Sequence, residues 1–284
     1  MVNRNTKYLE VKDFSVSKEI FELNINEEFG FLETRPQPSK KELARYYDSE
    51  DYISHTDTKR NLFEKVYHLV RTIALKRKLK LINTCTSDTK RLLDVGCGTG
   101  DFLLLAKQNG WDITGIEPNS KAREIANKKN NNVVSDDKGL SVLEKESFDV
   151  ITLWHVLEHL PDLEEHVQLF QYLLKPKGRL VIALPNFKSY DAKYYKSFWA
   201  AFDVPRHLWH FSKNSVAKLF LKYGMAIEVI LPMKFDAFYV SLLSEKHKTG
   251  KLNPIRSFWV ASRSNFKAHR SKEYSSLIYV IKNN

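Results

Sequence analysis

Between residues 91 and 186, short apolar runs alternate with amphipathic stretches. "RLLDVG", Arg91 to Gly96, is a compact apolar run stopped by glycine, and the spacing after it predicts a helix from Asp101 to Asn109 closed by Gly110. "WDITGIE" follows as a second strand, with Ser120 placed to cap the helix "KAREIANKK". "NNVVSDD" gives a short third strand and "SFDVITLW" a fourth, β-branched and apolar as a fully buried strand is. Asp162 and Glu165 predict a capping-box-like start for "LEEHVQLFQYLL", "KPKG" stops that helix, and "RLVIALP" is a fifth strand. Strands alternating with helices imply βαβ units, hence an α/β fold whose parallel sheet is covered on both faces.

Two regions fall outside that pattern. Residues 1–57 are polar and turn-rich and read as an N-terminal extension. The main domain, 58–284, opens with a helical lead-in over 58–82, where Leu62, Val66, Leu69, Val70 and Ile73 recur at helical spacing. Residues 186–211 form an aromatic-rich insertion and 236–274 a second one, within which "HKTGKLNP" reads as a mobile connection. A helix from Ser212 closed by Gly224 precedes "AIEVILP", and "SSLIYVIKN" is the final strand.

Composition narrows the class. With 284 residues, 43% hydrophobic and 12% aromatic, the chain can bury a real core, so wholesale disorder is excluded. No apolar run approaches the ~18 residues of a membrane span, and the first residues lack the apolar centre of a signal peptide. Cys85 and Cys97 are the only cysteines, which excludes a disulfide framework; together these features predict a cytoplasmic protein. The net charge of +11 is most concentrated in "LKRKLKL", Leu75 to Leu81. Its leucines sit at helical spacing with no interleaved aromatics, so a solvated helix face is favoured over nucleic-acid binding. Attraction to acidic metabolites or peripheral contact with a membrane surface stays open.

The candidate chemistry starts at "DVGCGTGD". A glycine turn between a strand and a helix sits where ligands bind in parallel sheets, and glycine lets the backbone approach closely. A phosphate loop needs lysine and a hydroxyl residue after its last glycine, but Gly100 is followed by Asp101 and Phe102. The dinucleotide fingerprint needs a glycine at the position of Asp101, whose charge would also oppose a pyrophosphate. A ligand with a positive centre and an amino-acid end fits better. Asp94, at the end of a buried strand, either anchors the loop or accepts from an ammonium group. Glu117 ends the second strand and offers paired acceptors to a ribose diol, and Pro118 helps to end that strand.

"LLDVGCGTGDFL", "GIEPN", "FDVITLWHVLEHL" and "LKPKGRLVIALPN" resemble, in order, the motifs of class I S-adenosylmethionine-dependent methyltransferases. "FDVPRHLWHFS" and "EYSSLIYVIK" are similar to a bacterial subgroup related to ubiquinone-biosynthesis O-methyltransferases, which extends the resemblance from about Leu92 to the C-terminus. The resemblance implies a Rossmann-like three-layer sandwich with a seven-stranded, mostly parallel sheet and an antiparallel last strand. It implies S-adenosylmethionine as cofactor, with Gly96, Cys97 and Gly98 against its methionine part, Glu117 on the ribose and Asp136 near the adenine. Trp154 and His155 would line the space where cofactor and acceptor meet. Relatives often carry a small N-terminal zinc module, but here Asn26 and Phe29 stand where its cysteines would, so no metal is expected. The extension would keep the module's shape by packing alone.

Methyl transfer from a sulfonium is an in-line displacement, and a base is needed only if the nucleophile arrives protonated. The candidates are His155, His159, His207 and His210, of which His155, His207 and His210 are put forward as catalytic, while "HVLEH" also reads as a buried turn. Arg206 could bind a substrate carboxylate or phosphate. Tyr190, Tyr194, Tyr195, Phe198, Trp199 and Phe202 read either as a lid over the acceptor or as a satellite core. Tyr52 is placed to reach over the cofactor. The leading expectation is methyl transfer to a small-molecule acceptor, at oxygen; the alternatives are an inactive cofactor-binding regulator and an RNA or protein methyltransferase. Oligomeric state is left open.

Overall fold

The computed structural model describes residues 6–47, 62–86 and 89–284. In chain order the strands and α-helices are β1 Thr6–Lys12, β2 Ile20–Ile25, β3 Leu32–Arg35, α1 Lys40–Leu43, α2 Leu62–Asn83, β4 Arg91–Val95 and α3 Asp101–Gln108. They continue with β5 Asp112–Ile116, α4 Ser120–Asn130, β6 Val134–Ser135, β7 Phe148–Trp154, α5 Leu163–Leu173 and β8 Leu174–Pro185. The last group is α6 Tyr190–Tyr195, β9 Trp209–His210, α7 Lys213–Lys222, β10 Met225–Pro232, α8 Asp236–Thr249, α9 Pro254–Ser271 and β11 Ser276–Asn283.

Seven strands form the main sheet in the order β10-β11-β8-β7-β4-β5-β6. The pairs β4–β5, β4–β7, β5–β6 and β7–β8 are parallel, while β11 runs antiparallel to both β8 and β10. The expected mostly parallel sheet with an antiparallel last strand is therefore present. Successive strand residues point to opposite faces, so each strand feeds two cores. Leu93, Ile151, Ile182 and Ile281 pack with α5 and α7 on one face, and Leu92, Val150, Val181 and Val280 pack with α3 and Ala126 of α4 on the other. Both faces are dry, which is why these strands read as continuous apolar runs.

Three local expectations are corrected. Asn119, not Ser120, caps α4, its side chain accepting from Ala122 N at 3.0 Å. Asp162 precedes α5 in a left-handed conformation (φ 51°) and makes no side-chain cap. The helix stops before "KPKG" as expected, but the fifth strand starts earlier than "RLVIALP" and takes "KPKG" into β8: Leu174 already pairs with Phe148, and the register slips between Phe148 and Val150. Gly178 permits this, since a Cβ there would stand 3.0 Å from the Phe148 carbonyl oxygen.

The N-terminal extension folds as an antiparallel meander, β1-β2-β3, continued by β9 from the first insertion. At the turn where a zinc module's cysteines would stand, Asn26 Oδ1 accepts from Phe29 N at 2.9 Å and Phe29 stacks on Phe31 with centroids 5.4 Å apart. Hydrogen bonding and ring packing hold the turn. The aromatic segment is core rather than lid. Tyr195, Trp199 and Phe202 are all but fully buried and pack with Val11, Phe21, Leu23 and Leu32 of the meander. "HKTGKLNP" is largely a tight helix–helix corner: α8 runs to Thr249, Gly250 caps it at φ 75°, and α9 starts at Pro254. Tyr52 and residues 58–61 lie outside the described residues.

Candidate functional site

The glycine turn follows β4 at the carboxyl end of the sheet. Gly96 N and Cys97 N both donate to the Ile116 carbonyl, at 2.7 and 3.0 Å, tying the turn to the end of β5. Gly96 adopts φ +69°, and a Cβ there would stand 2.4 Å from Val156 Cγ2. Gly98, at φ +55°, has open space where a Cβ would go. One glycine is therefore required by packing and the next leaves room beside the backbone. The Cys97 thiol points inward, with its Sγ 3.1 Å from the Cβ position at Gly115 on β5, and burial pushes its pKa up.

Glu117 reaches back across the turn. Its Oε2 accepts from Gly98 N at 2.8 Å and its Oε1 from Asn119 N at 2.9 Å. Burial raises its pKa, and these two amides oppose the rise. An ionised carboxylate has about four acceptor sites, so each oxygen keeps one for a diol after these bonds are made. Pro118 follows directly, and Asp136 lies next to this corner, because Glu117 N donates to the carbonyl of Ser135 at 2.9 Å. Asp94 is 2% exposed and accepts from Thr152 Oγ1 at 2.6 Å, so it ties β4 to β7. Burial pushes its pKa up to about 7, against the Thr152 hydroxyl and the Lys78 charge.

Lys78 was read as part of a solvated basic face, but it turns inward. Its ammonium lies 4.3 Å from the Trp154 ring centroid, and burial lowers its pKa to about 8 against the attraction of Asp94 and Asp236. Helical spacing carried the signal: Lys78 is three residues after Leu75 and four before Ile82, on the stripe that packs against the sheet. The Trp154 indole N–H is buried with no hydrogen-bond partner among the described residues, and the ring meets Phe102 edge-on at 5.7 Å. Asp101 also differs from its expected role. Arg71 and Lys129 pair with its carboxylate, so its charge is already compensated, and the exclusion of a dinucleotide rests on the missing third glycine.

His155, just past β7, is bracketed by carboxylates: Nε2 lies 3.1 Å from Asp236 Oδ2 and Nδ1 3.4 Å from Glu158 Oε1. Burial works against the charged ring, yet the two acids raise its pKa to about 10. At neutral pH it is an imidazolium and cannot act as a base while both acids stay in place. His210 sits in β9, where Nε2 meets Thr34 Oγ1 at 2.9 Å; the Thr34 hydroxyl itself donates to the His207 carbonyl, so the ring donates to Thr34. Burial holds His210 neutral, with its pKa well below the usual value. Its role there is to join the two halves of the small sheet. Arg206 is likewise spent on structure. It is 4% exposed and binds Asp13 at 2.9 Å, Asp203 at 2.7 Å and the Tyr46 carbonyl at 3.0 Å, leaving no fork for a substrate anion.

Glu158, absent from the sequence expectations, is 1% exposed, and among the described residues neither of its oxygens has a hydrogen bond. Burial raises its pKa, but the pairing with the His155 imidazolium outweighs that and brings the carboxyl below its usual range. One ligand atom from each of Glu158, His159 and His207 lies within 4.8 Å of the others. His159 Nδ1 is 3.0 Å from the Arg206 carbonyl and His207 Nδ1 2.9 Å from the Ala201 carbonyl. In both rings Nδ1–H therefore donates to a carbonyl, and Nε2 is the nitrogen left to meet another group. These three side chains could hold a divalent ion, a grouping the sequence reading did not anticipate.

A family model described as a methyltransferase domain matches residues 60–229. The chain belongs to the class I S-adenosylmethionine-dependent methyltransferases. A demethylmenaquinone methyltransferase of Thermotoga maritima is 32% identical over 183 residues, covering 58% of this chain and 76% of that one. A ubiquinone biosynthesis O-methyltransferase of Coxiella burnetii is 29% identical over 160 residues. That match covers 53% of this methyltransferase-family chain and 65% of the relative, so the chain spans just under two thirds of that protein's length. Among solved structures, a geranyl diphosphate methyltransferase in complex with SAM superposes with a TM-score of 0.57 at 13% identity, over 82% of this chain and 95% of the other. A SAM-dependent methyltransferase of Archaeoglobus fulgidus gives 0.52 at 19% identity, over 78% and 98%. At these identities the superpositions speak for the fold.

Proposed function

We propose that this chain transfers a methyl group from S-adenosylmethionine to an oxygen of a small-molecule acceptor. The observation that carries the reading is the meeting of Glu117 with the turn amide of Gly98: the carboxylate is fixed by backbone N–H groups, and its remaining acceptor sites suit a ribose diol. Gly96 and Gly98 offer backbone to the methionine end, and Asp136 stands at the far end of the same corner for the adenine. When bound there, the cofactor supplies an electrophilic methyl on a sulfonium. Trp154, braced edge-on by Phe102 of the core, would border that space and help to keep competing water out.

The names of the Coxiella and Thermotoga relatives support a small-molecule acceptor, and the former supports oxygen. An acceptor hydroxyl must lose its proton as the C–O bond forms. Of the three histidines put forward as bases, His207 is the one whose Nδ1–H is fixed on a carbonyl beside Glu158, which leaves Nε2 to receive that proton. His155, held as an imidazolium, would position the acceptor instead. The fixed diol-binding corner argues against a chain that has lost its cofactor, and the inward turn of Lys78 removes a charge from the face that suggested RNA.

Incubation with methyl-labelled S-adenosylmethionine and a fractionated cell extract tests the reading. Label should appear in the small-molecule fraction and fall sharply with Glu117→Ala at cofactor concentrations near the parent's Kd. Label in RNA or protein, or cofactor binding without any transfer, would refute it.

A further inference from the structure

Helix α9 is built inside out. The residues it turns toward the protein are small, with Ser257, Val260, Ala261, Ser264 and Ala268 all buried. Its large apolar residues face outward instead: Ile255 is 85% exposed, Phe266 78%, Phe258 64% and Trp259 52%. An ordinary surface helix does the reverse. Spacings of three, four and seven residues put these four on one stripe, roughly 16 Å long at the helical rise.

Beside the stripe runs a second one, Arg263, Lys267 and Arg270, again at helical spacing and all exposed. The Arg263 guanidinium lies 5.3 Å from the Trp259 ring centroid, and Lys267 Nζ lies 4.2 Å from that of Tyr190. From Lys246 to Lys272 the chain has eight lysines and arginines and not one aspartate or glutamate. A continuous apolar stripe with a purely cationic flank is the pattern of a helix lying in a membrane interface. Among the described residues no helix is long and apolar enough to cross a membrane, so the contact would be peripheral.

We propose that the exposed face of α9 docks on the surface of an anionic phospholipid bilayer. The four apolar side chains enter the headgroup–acyl boundary, and Arg263, Lys267 and Arg270 meet lipid phosphates. Charge decides among occupants. A second copy of the chain would bring the same cationic flank against itself across a two-fold contact. Single-stranded nucleic acid would match the charge and the aromatics, but it offers nothing to the protruding Ile255. The proposal rests on α9 alone and does not depend on the methyl acceptor. The same helical pair does reach the site, since Asp236, the first residue of α8, contacts His155.

The test is co-sedimentation of the purified chain with sucrose-loaded vesicles of phosphatidylcholine, alone or with 30% phosphatidylglycerol. Binding is expected to the anionic vesicles and not to the neutral ones at physiological salt. Arg263→Glu with Lys267→Glu should weaken it by on the order of tenfold or more, and Phe258→Ser/Trp259→Ser/Phe266→Ser should abolish it. Those side chains are exposed, so thermal melting and S-adenosylhomocysteine binding should be unchanged in both variants. In the unmodified chain, lipids brominated on their acyl chains should quench tryptophan emission, and Trp259→Phe should remove most of that quenching. Failure to bind anionic vesicles, or equal binding by the triple variant, would overturn the proposal. So would a dimer that the triple variant splits in the absence of vesicle binding, or capture of an RNA oligonucleotide by this face in place of vesicles.

Discussion

Replacing Arg206 with methionine separates a structural from a substrate-binding role. The side chain is 5% exposed and its guanidinium holds Asp13, itself fully buried, at 2.9 Å. Burial raises the Asp13 pKa, but Arg206 and the Ser17 and Ser15 amides bring it from 3.8 down to about 2. That depression corresponds to about 2 kcal/mol of stability at neutral pH. Arg206→Met removes the arginine's share of this, while the Ser15 and Ser17 bonds remain, and leaves a buried carboxylate without its cation, for a cost of about 3–5 kcal/mol, or a fall in melting temperature of roughly 6–12 °C. Urea unfolding of both proteins across pH measures it. The folded pKa of Asp13 is lowered, so its contribution is complete above its unfolded value and is lost as pH falls toward about 2. The gap between the proteins should therefore be widest near neutral pH and narrow as acid protonates Asp13, in the variant first and in the parent toward about pH 2. A variant as stable as the parent, but with a raised KM, would refute the reasoning and return Arg206 to the substrate.

Gly96→Ala should destabilise the fold and abolish cofactor binding, because its Cβ would stand 2.4 Å from Val156, whereas Gly98→Ala meets no atom and should cost only the left-handed backbone strain, about 1–2 kcal/mol; calorimetry with S-adenosylhomocysteine and thermal melts distinguish the two. His155 should remain protonated well above its usual range in an NMR titration and titrate lower in Asp236→Asn. Its folded pKa is raised to about 10, so the stability it confers is complete below about 6.5 and is lost as pH rises through 10. A His155 that titrates near 6.5 in the parent chain would disprove the carboxylate bracket.

The parts that were legible in the sequence are those whose physics is local. The alternating apolar runs gave the strands of the main sheet, and Glu117 and the glycine turn lie 19 residues apart around one βαβ unit. What misled has its partner far along the chain. Arg206 and His210 have the chemistry of site residues, but Asp13 and Thr34, the groups that occupy them, are 193 and 176 residues away. Asp101 looked like a free charge because Arg71 and Lys129 reach it from two other helices. The aromatic segment has no period because its rings pack against a separate sheet rather than along one helix face. Glu158 was hidden inside "HVLEH" by the histidines around it, and its importance comes from burial without a hydrogen bond, which only the fold reveals.

The most direct measurement is calorimetric titration of S-adenosylhomocysteine into the parent chain and into Glu117→Ala. If Glu117 holds the ribose diol, the parent binds and the variant binds roughly ten- to a hundredfold more weakly, as expected for losing charge-assisted hydrogen bonds. Its melting temperature without ligand should fall by roughly a few degrees, since the Gly98 and Asn119 amides lose their acceptor. Equal affinity in the two proteins, or no binding by the parent, would contradict a cofactor seat built from Glu117 and the glycine turn.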